Sequence, residues 1–288
     1  MNKLEKYLSK IKNTNNVATI GVFDGVHIGH RYIIALMKEK RNLDEKTVVI
    51  AINNELKAPF IYKNYKKLAI LRSLGVDYVI NINLKHIKNI SAIEFLNTLK
   101  NNNVRKIYVG RDFSFGKNKI GNIEIINDNM QVTIVDDVFY CGHKVSSSLI
   151  KKEIISGNIT DVTTLLKKNY FVEGIVIKGN KIGRKLGFPT ANIDYKDYII
   201  PPIGVYAGYV FHKHKKYYCL MNIGHNPTLN YSSHLSFEVF LLNFNHEIDL
   251  YNVKLTIHFT KFLRDEKRFN TKEDLINQIK LDVKKFNL

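Results

Sequence analysis

The chain has 288 residues, of which 45% are hydrophobic, so it can fill the core of one large domain or of two smaller ones. Its formal net charge of +18 comes from scattered lysines, which argues against a dedicated nucleic-acid surface. Two distant cysteines, Cys141 and Cys219, indicate neither a disulfide framework nor a zinc site. The lack of a signal peptide or of a bilayer-length apolar run predicts a cytoplasmic protein without membrane contact. The sequence leaves the oligomeric state open.

The first half of the chain alternates between apolar strands and amphipathic helices. A strand over 17–22 is followed by a helix that begins near His30, and a β-branched strand follows over 47–52. The alternation continues with helices over 66–74 and 91–99 and strands over 78–82, 106–109 and 132–135. This order predicts a doubly wound parallel sheet, whose ligands bind beyond the carboxyl ends of the strands.

The turn after the first strand, over residues 21–30 and here called the histidine turn, combines glycines with histidines. Gly21, Gly25 and Gly29 permit close backbone turns, and His27 and His30 share a face once the helix begins. Because a helix N-terminus offers unpaired N–H groups to an anion, the turn predicts a phosphate site with two imidazole donors. A glycine turn with incidental histidines is the structural alternative.

Two further stretches follow predicted strands of the same sheet. The loop over 110–116 follows the strand over 106–109, so we expect it to converge with the histidine turn on one crevice. Three serines over 146–148 precede a helix over 149–156. Helix capping requires one of them, whereas three hydroxyls followed by Lys151 and Lys152 would also suit a polyphosphate.

After a helix over 161–168 the pattern changes to short β-rich segments, which places a domain boundary near residue 168. The segments lie over 170–177, 205–211, 217–223, 236–243 and 253–259. Their close spacing predicts a small antiparallel barrel or sandwich. The closing helix over 271–286 has an apolar stripe that we expect to pack against it, at Ile276, Ile279, Val283 and Phe286.

Two features of the second half suggest chemistry. Residues 179–192 combine glycines and basic residues with a Pro-Thr-Ala-Asn turn, in which the Thr190 hydroxyl and the Asn192 carbonyl are oxygen ligands suited to Mg²⁺. The same stretch fits an ordinary hairpin loop with a basic rim. Glu238 is a lone acid in an apolar strand, so it is either a base for phosphoryl transfer or the partner of a lysine.

The motifs, taken together, resemble one family across nearly the whole chain: the bacterial bifunctional riboflavin kinase/FAD synthetases. The motifs that carry the resemblance lie, in chain order, at 21–30, 110–116, 146–148, 187–192, 202–206, 222–228, 237–239 and 262–266. The resemblance implies that residues 1–168 form a Rossmann-like nucleotidyltransferase domain, which transfers AMP from ATP to FMN. It implies that residues 169–288 form a six-stranded antiparallel barrel with a C-terminal helix, which phosphorylates riboflavin with ATP and Mg²⁺.

The resemblance also assigns roles in the first domain. His27 and His30 would stabilise charge on the α-phosphate as pyrophosphate leaves. Asp112 and Phe113 would help form the FMN pocket. The nucleotide would be bound by residues of the histidine turn and of the serine stretch, namely Gly21, Phe23, Asp24, Gly25, Gly29, Ser146, Ser147, Ser148 and Lys151.

In the second domain, the family pattern places Mg²⁺ on Thr190 and Asn192. Glu238 would activate the ribityl hydroxyl, and Arg264 would lie near the flavin. ATP would be covered by the preceding loop, with Gly179, Lys185, Gly187, Phe188 and Pro189 as its contacts.

The departures from the family pattern lie mostly in the first domain. Residues 51–59 retain little of the Thr-Phe-x-Pro-His-Pro-like segment, and Lys151 stands where the family has an arginine. The second domain departs at His225, Phe240 and Asn252 but keeps Pro-Thr-Ala-Asn and Glu238. The alternative is therefore a riboflavin kinase whose N-terminal domain no longer adenylylates FMN.

Overall fold

The computed structural model describes residues 3–54, 58–179, 188–213, 215–224, 235–245 and 249–286. The chain forms two compact units, Met1–Leu149 and Ile150–Leu288. This division by compactness falls after Leu149, and the functional boundary near residue 168 stays a prediction.

The first unit is built on a five-stranded parallel sheet with the strand order β3-β2-β1-β4-β5. The strands are β1 (Asn15–Gly21), β2 (Glu45–Asn53), β3 (Tyr78–Asn83), β4 (Val104–Gly110) and β5 (Gln131–Val135). The helices are α1 (Lys3–Leu8), α2 (Ile28–Lys40), α3 (Asn64–Ser73), α4 (Ala92–Asn101) and α5 (Ile123–Asn127). The doubly wound sheet predicted from the alternation is confirmed.

The central strand β1 is buried because it pairs with a strand on each side. It lies parallel to β2 and to β4, and residues 16–20 are almost inaccessible to solvent. The chain order reverses here, since β2 leads to one edge of the sheet and β4 to the other. Such a switch point leaves a crevice beyond the strand ends, and the histidine turn follows β1 into it.

Three short elements were not predicted: α1, α5 and a hairpin of β6 (Phe139–Tyr140) and β7 (His143–Lys144). Helix α1 has six residues, too few to display a helical period, yet Leu4 and Leu8 are fully buried in the core of the first unit. Their burial is decided by tertiary packing, which a short sequence window does not contain.

The second unit is a closed six-stranded antiparallel barrel with the order β10-β11-β12-β9-β8-β13. The strands are β8 (Phe171–Ile177), β9 (Thr190–Asp194), β10 (Gly204–His212), β11 (Lys215–Gly224), β12 (Ser236–Leu241) and β13 (Lys254–Arg264). Its helices are α7 (Ile159–Leu166) and α8 (Lys272–Lys285), while α6 (Ser147–Ile155) spans the division between the units. The predicted barrel with its C-terminal helix is confirmed.

One barrel strand corrects the sequence interpretation. Residues 190–192 were expected in a turn, but they belong to β9, which pairs with β12 and with β8 and so closes the barrel. Alanine and asparagine have low strand propensity, and the preceding proline also suggested a turn. Pairing on both sides outweighs these local preferences.

Helix α8 begins as its sequence suggests, because the Thr271 side chain accepts a hydrogen bond from Asp274 N at 3.1 Å. The expected core stripe is only half-buried, although Phe286 does pack against the Tyr218 ring. The buried residue of α8 is instead Asp282. The prediction that the stripe is simple core packing is therefore wrong in part, since a charged group takes the most buried position.

The close pairing of β10 with β13 leads to a stability prediction. A Cβ on Gly208 would lie 1.9 Å from His258 O and 2.6 Å from Met221 Cε. We expect Gly208→Ala to lower the free energy of unfolding by about 1–3 kcal/mol, because the barrel backbone must shift. Calorimetric unfolding measures the loss. Gly110→Ala is the control, since no atom lies within 4 Å of its added Cβ; equal effects of the two substitutions would contradict the prediction.

Candidate active sites

The first candidate site is a cavity of about 300 Å³ at the switch point of the parallel sheet. The ends of β1, β4 and β5 form it together with the first residues of α2 and α6. It contains nine of the residues expected to bind substrate: Gly21, Phe23, His27, Gly29, His30, Asp112, Phe113, Ser146 and Ser147. The structure thus brings the histidine turn, the loop over 110–116 and two of the three serines to one place.

The histidine turn has a rare backbone conformation. Phe23, Gly25 and Val26 have positive φ angles of 54°, 80° and 46°. Glycine adopts this region freely, whereas phenylalanine and valine do so only under strain. Phe23 is also buried. Strain of this kind persists only where the surrounding structure enforces it, so the turn is held in a defined shape beside the cavity.

The two histidines contact each other. Their rings stack with centroids 3.6 Å apart, and the Phe23 ring lies roughly edge-on to the His30 ring, with centroids 5.0 Å apart. His27 Nδ1 accepts a long hydrogen bond of 3.4 Å from His30 N at the start of α2. Because Nδ1 accepts, the neutral His27 ring carries its proton on Nε2 and can donate it to a ligand. His30 Nδ1 is buried and has no hydrogen-bond partner among the described residues.

Both imidazoles are neutral in the free site at pH 7. His27 is only 5% exposed, and burial lowers its pKa to about 4. Burial also lowers the pKa of His30 well below 6.5, with smaller contributions from the charges of His27 and Lys67. Each ring therefore offers one N–H to a ligand, and an incoming anion would favour further protonation.

Other predicted residues support the turn, and four of them, Asp24, Gly25, Ser148 and Lys151, do not line the cavity. The Asp24 carboxylate accepts a hydrogen bond from Ile61 N at 3.2 Å, and the backbone carbonyl of Asp24 accepts one from Ser147 Oγ at 2.9 Å. Ser146 Oγ accepts from Leu149 N at 3.1 Å, so it caps α6 as the capping interpretation proposed. Gly25 is buried within the turn and Ser148 is exposed. Lys151 lies one turn further along α6, in the second compact unit.

The rim of the first cavity is formed by ion pairs. Lys144 Nζ bonds the Asp112 carboxylate and lies 3.0 Å from Asp137 Oδ2. Arg111 bonds Asp136 at 2.6 Å. Asp112, expected to bind the flavin, therefore already has a cationic partner. Arg111, Asp112 and Asp136 are largely exposed, so the pairs they form are weak and can exchange with a ligand.

The second candidate site is a cavity of about 360 Å³ between the outer face of the barrel and α8. Strand register places one row of side chains across five strands on this face: Asn192, Glu238, Asn222, Val205 and Arg264. Directly paired residues project to the same side of an antiparallel sheet. The row thus brings two amides, a carboxylate and a guanidinium together, although they are far apart in the sequence.

Glu238 has a defined polar neighbour on this face of the barrel, Thr190, which is paired with Phe240. Its Oε2 accepts a hydrogen bond of 2.9 Å from Thr190 Oγ1. Among the described residues its hydrogen-bond partner is thus a hydroxyl, not the lysine that the alternative interpretation required. The ring of Phe188 contacts that of Phe240 at the same cavity, with centroids 5.3 Å apart. Glu238 therefore combines a polar partner with an apolar wall.

Asn192 packs directly on Gly179. A Cβ on Gly179 would lie 2.1 Å from Asn192 Nδ2, so a larger residue there would displace the Asn192 side chain. Pro189 immediately precedes β9. Lys185 and Gly187, expected to contact ATP, lie outside the described residues, as do His225 and residues 55–57 of the divergent segment.

Arg264, expected near the flavin, lines the cavity and also forms an ion pair with α8. Its Nε lies 2.9 Å from Asp282 Oδ2, and its second guanidinium nitrogen lies 2.8 Å from the same oxygen. The Arg264 side chain is 11% exposed and that of Asp282 is 1% exposed. Gln278 donates a further hydrogen bond to the carboxylate at 2.9 Å. This ion pair holds α8 against β13 at the edge of the cavity.

Two residues that line the second cavity, Asn222 and Asp282, and one that supports the histidine turn, Lys67, were missed from the sequence. Asn222 is opposite Glu238, which only the register of β11 reveals. Asp282 and Lys67 each occupy the apolar side of an amphipathic helix, three residues from Ile279 and Ile70 respectively. A charged residue within an apolar stripe was the available signal, because such residues are rarely buried without a partner.

Comparison with known proteins gives a consistent result. A family model described as FAD synthetase matches residues 9–149, and one described as riboflavin kinase matches residues 166–287. A protein of Buchnera aphidicola named bifunctional riboflavin kinase/FMN adenylyltransferase is 33% identical, over 98% of this chain and 97% of its own length. A Bacillus subtilis protein of the same name is 31% identical, over 96% and 93% of the two chains.

A solved structure is also similar over nearly the whole chain. It is described as a macrolide-efflux protein from Streptococcus pneumoniae, and it matches with a TM-score of 0.84 and 27% identity over 96% of this chain and 95% of its own. In the part of this chain that the structure describes, every helix is too short or too polar to span a bilayer.

The buried histidines predict a loss of stability in acid. Unfolded histidine binds a proton near pH 6.5, whereas folded His27 does so only near pH 4. The stability that neutral His27 contributes is therefore fully present above pH 6.5 and is lost as the pH falls towards 4. At pH 5, His27 alone lowers the free energy of unfolding by about 2 kcal/mol. Urea unfolding at pH 7 and pH 5 measures this difference.

The variant for this test is His27→Asn, which keeps a side chain able to cap α2. It should lose less stability between pH 7 and pH 5 than the parent protein does. His143→Gln is the control, because His143 is exposed. An acid-induced loss in His27→Asn as large as in the parent would refute the prediction.

Proposed function

Because this chain belongs to the family of bifunctional riboflavin kinases and FMN adenylyltransferases, we propose that each of its two cavities carries out one of the two reactions. Riboflavin is phosphorylated to FMN, and FMN is adenylylated to FAD, with ATP as the second substrate each time. The barrel cavity would perform the first reaction and the cavity of the parallel sheet the second. A cytoplasmic location stays a prediction.

The kinase assignment rests above all on the place of Glu238. Its carboxylate opens into a cavity that is large enough for a small-molecule ligand and has apolar walls. In the proposed reaction it accepts the proton of the ribityl hydroxyl. The hydroxyl oxygen bonds the γ-phosphorus of ATP as the bond to the ADP oxygen breaks. Phe188 and Phe240 would exclude water from this step.

The residues beside Glu238 fit a magnesium ion. Thr190 and Asn192 provide a hydroxyl and an amide oxygen on the same face of β9, next to the carboxylate. No three His, Cys, Asp or Glu side chains form a metal cluster within the described ranges. Mg²⁺ commonly completes its shell with water and substrate phosphates, so it needs few protein ligands. When bound, it would neutralise charge on the ATP phosphates.

In the proposed adenylyl transfer, a phosphate oxygen of FMN bonds the α-phosphorus of ATP, and pyrophosphate leaves. Negative charge then builds on the α-phosphate oxygens. His27 Nε2–H, the His30 imidazole and the free N–H groups at the start of α2 lie where they could donate to those oxygens. Each neutral ring keeps one N–H with which to donate to the charged oxygens.

The alternative of a kinase with an inactive N-terminal domain is less well supported. The family models cover both halves of the chain. The histidine pair, the strained turn and Ser147 form one cavity despite the divergence over 51–59. Lysine at position 151 keeps a positive charge, although it lacks the bidentate geometry of arginine.

Glu238→Gln tests the kinase assignment. Removal of the proton acceptor should lower FMN formation from riboflavin, ATP and Mg²⁺ by about 100-fold or more. FAD formation from supplied FMN should be unchanged. Chromatographic separation of the flavins measures both. Asp194→Asn, an exposed change on the neighbouring strand β9, is the control; equal loss of both activities in folded Glu238→Gln would contradict separate sites.

The paired change of His27→Ala and His30→Ala should have the opposite effect. Each lost donor to the developing charge costs about 100- to 1,000-fold in rate, so FAD formation should cease while FMN formation continues. The same flavin assay, with pyrophosphatase added to pull the second reaction forward, measures it. Persistent FAD formation would remove the histidines from the proposed mechanism.

A further inference from the structure

A lysine is buried directly behind the histidine turn. Lys67, on α3, is 4% exposed. Its ammonium donates hydrogen bonds to Val22 O at 2.8 Å and to Ile52 O at 3.1 Å. Lysine is almost never buried unless it is paired, because the removal of its charge from water is costly. The function derived above gives Lys67 no role.

The two carbonyls show what the lysine connects. Val22 is the first residue after β1 and opens the histidine turn, while Ile52 lies near the end of β2. Lys67 therefore joins the carboxyl ends of two neighbouring parallel strands where the ligand crevice begins. It is not among the residues that line the cavity, so it acts on a ligand only through the turn.

The charge of Lys67 also affects the site. Burial lowers its pKa to about 8, and the nearby Asp24 carboxylate acts in the opposite direction. Two titratable neighbours lower the pKa of His30: His27, at the cap of its own helix, and Lys67, from α3. A fixed positive charge behind His30 thus helps to keep that ring unprotonated before an anion enters.

We propose that Lys67 is a positioning residue for FMN adenylylation, which holds the turn over 21–30 in its strained shape and provides the positive charge behind His30. The inference rests on the proposed function of the first cavity. Without the ammonium, two strand-end carbonyls would lose their partner, and the turn could relax away from its geometry. A shift of the reacting groups by about 1 Å is enough to slow a reaction by about 100-fold.

Two variants separate this role from a general effect on folding. Lys67→Met keeps the length and bulk of the side chain but removes the donors and the charge, whereas Lys67→Arg keeps both. Lys66→Met, the neighbouring lysine whose ammonium lies over the Tyr65 ring, is the matched control. Riboflavin kinase activity reports that the second compact unit is folded in every variant, and calorimetric unfolding reports that the first unit is folded as well.

The experiment measures kcat and KM for FAD formation, FMN formation, and the titration midpoint of His30 by proton NMR, assigned with His30→Ala. We expect Lys67→Met to lower kcat for FAD formation by about 10- to 100-fold, to leave FMN formation unchanged and to raise the His30 midpoint. Lys67→Arg should restore a large part of kcat and the low midpoint. Lys66→Met should behave as the parent.

Unchanged FAD formation in Lys67→Met, or an unchanged His30 midpoint, would overturn the proposal. If Lys67→Met loses both activities, Lys67→Arg decides: recovered FAD formation with a low His30 midpoint supports the proposal, and normal FMN formation without FAD overturns it. A parent protein that forms no FAD would instead refute the proposed function, while the His30 midpoint would still report the charge effect.

Discussion

Backbone hydrogen-bonding groups that are buried need partners within the protein, and the two units meet this requirement in different ways. The parallel sheet is open at the carboxyl ends of its strands, where backbone groups need side chains as partners. Lys67 bonds two of these carbonyls, and His27 accepts from the start of α2. The barrel pairs each strand on both sides, and the side chains of its candidate site lie on the outer face beneath α8.

This difference determines how each site handles charge. In the first unit burial keeps two imidazoles neutral, with a cation behind them and exposed ion pairs at the rim. In the second unit the Glu238 carboxylate is hydrogen-bonded to the Thr190 hydroxyl, and the charge of the Arg264 guanidinium is neutralised by Asp282. In the proposed reactions, the first cavity would act through neutral donors and the second through a base.

Much of the architecture could be predicted from local sequence patterns, because the alternation of strands and helices repeats over several elements. The short helix α1 and the strand β9 could not, since Leu4 and Thr190 gain their environment from distant partners. The same limit applies to the sites. The histidine turn is contiguous and was found, whereas Asn222, Asp282 and Lys67 depend on strand register or helix packing that a sequence does not display.

The ion pair between Arg264 and Asp282 constrains how this chain can change over evolutionary time. Both side chains are nearly inaccessible, so the loss of one would leave the other charged, buried and unmatched, at a cost of about 3–5 kcal/mol. Replacement of both by apolar residues would be far milder. Among relatives, the residues at these two positions, which are 18 residues apart, should therefore change together, because a change at either position alone is strongly destabilising.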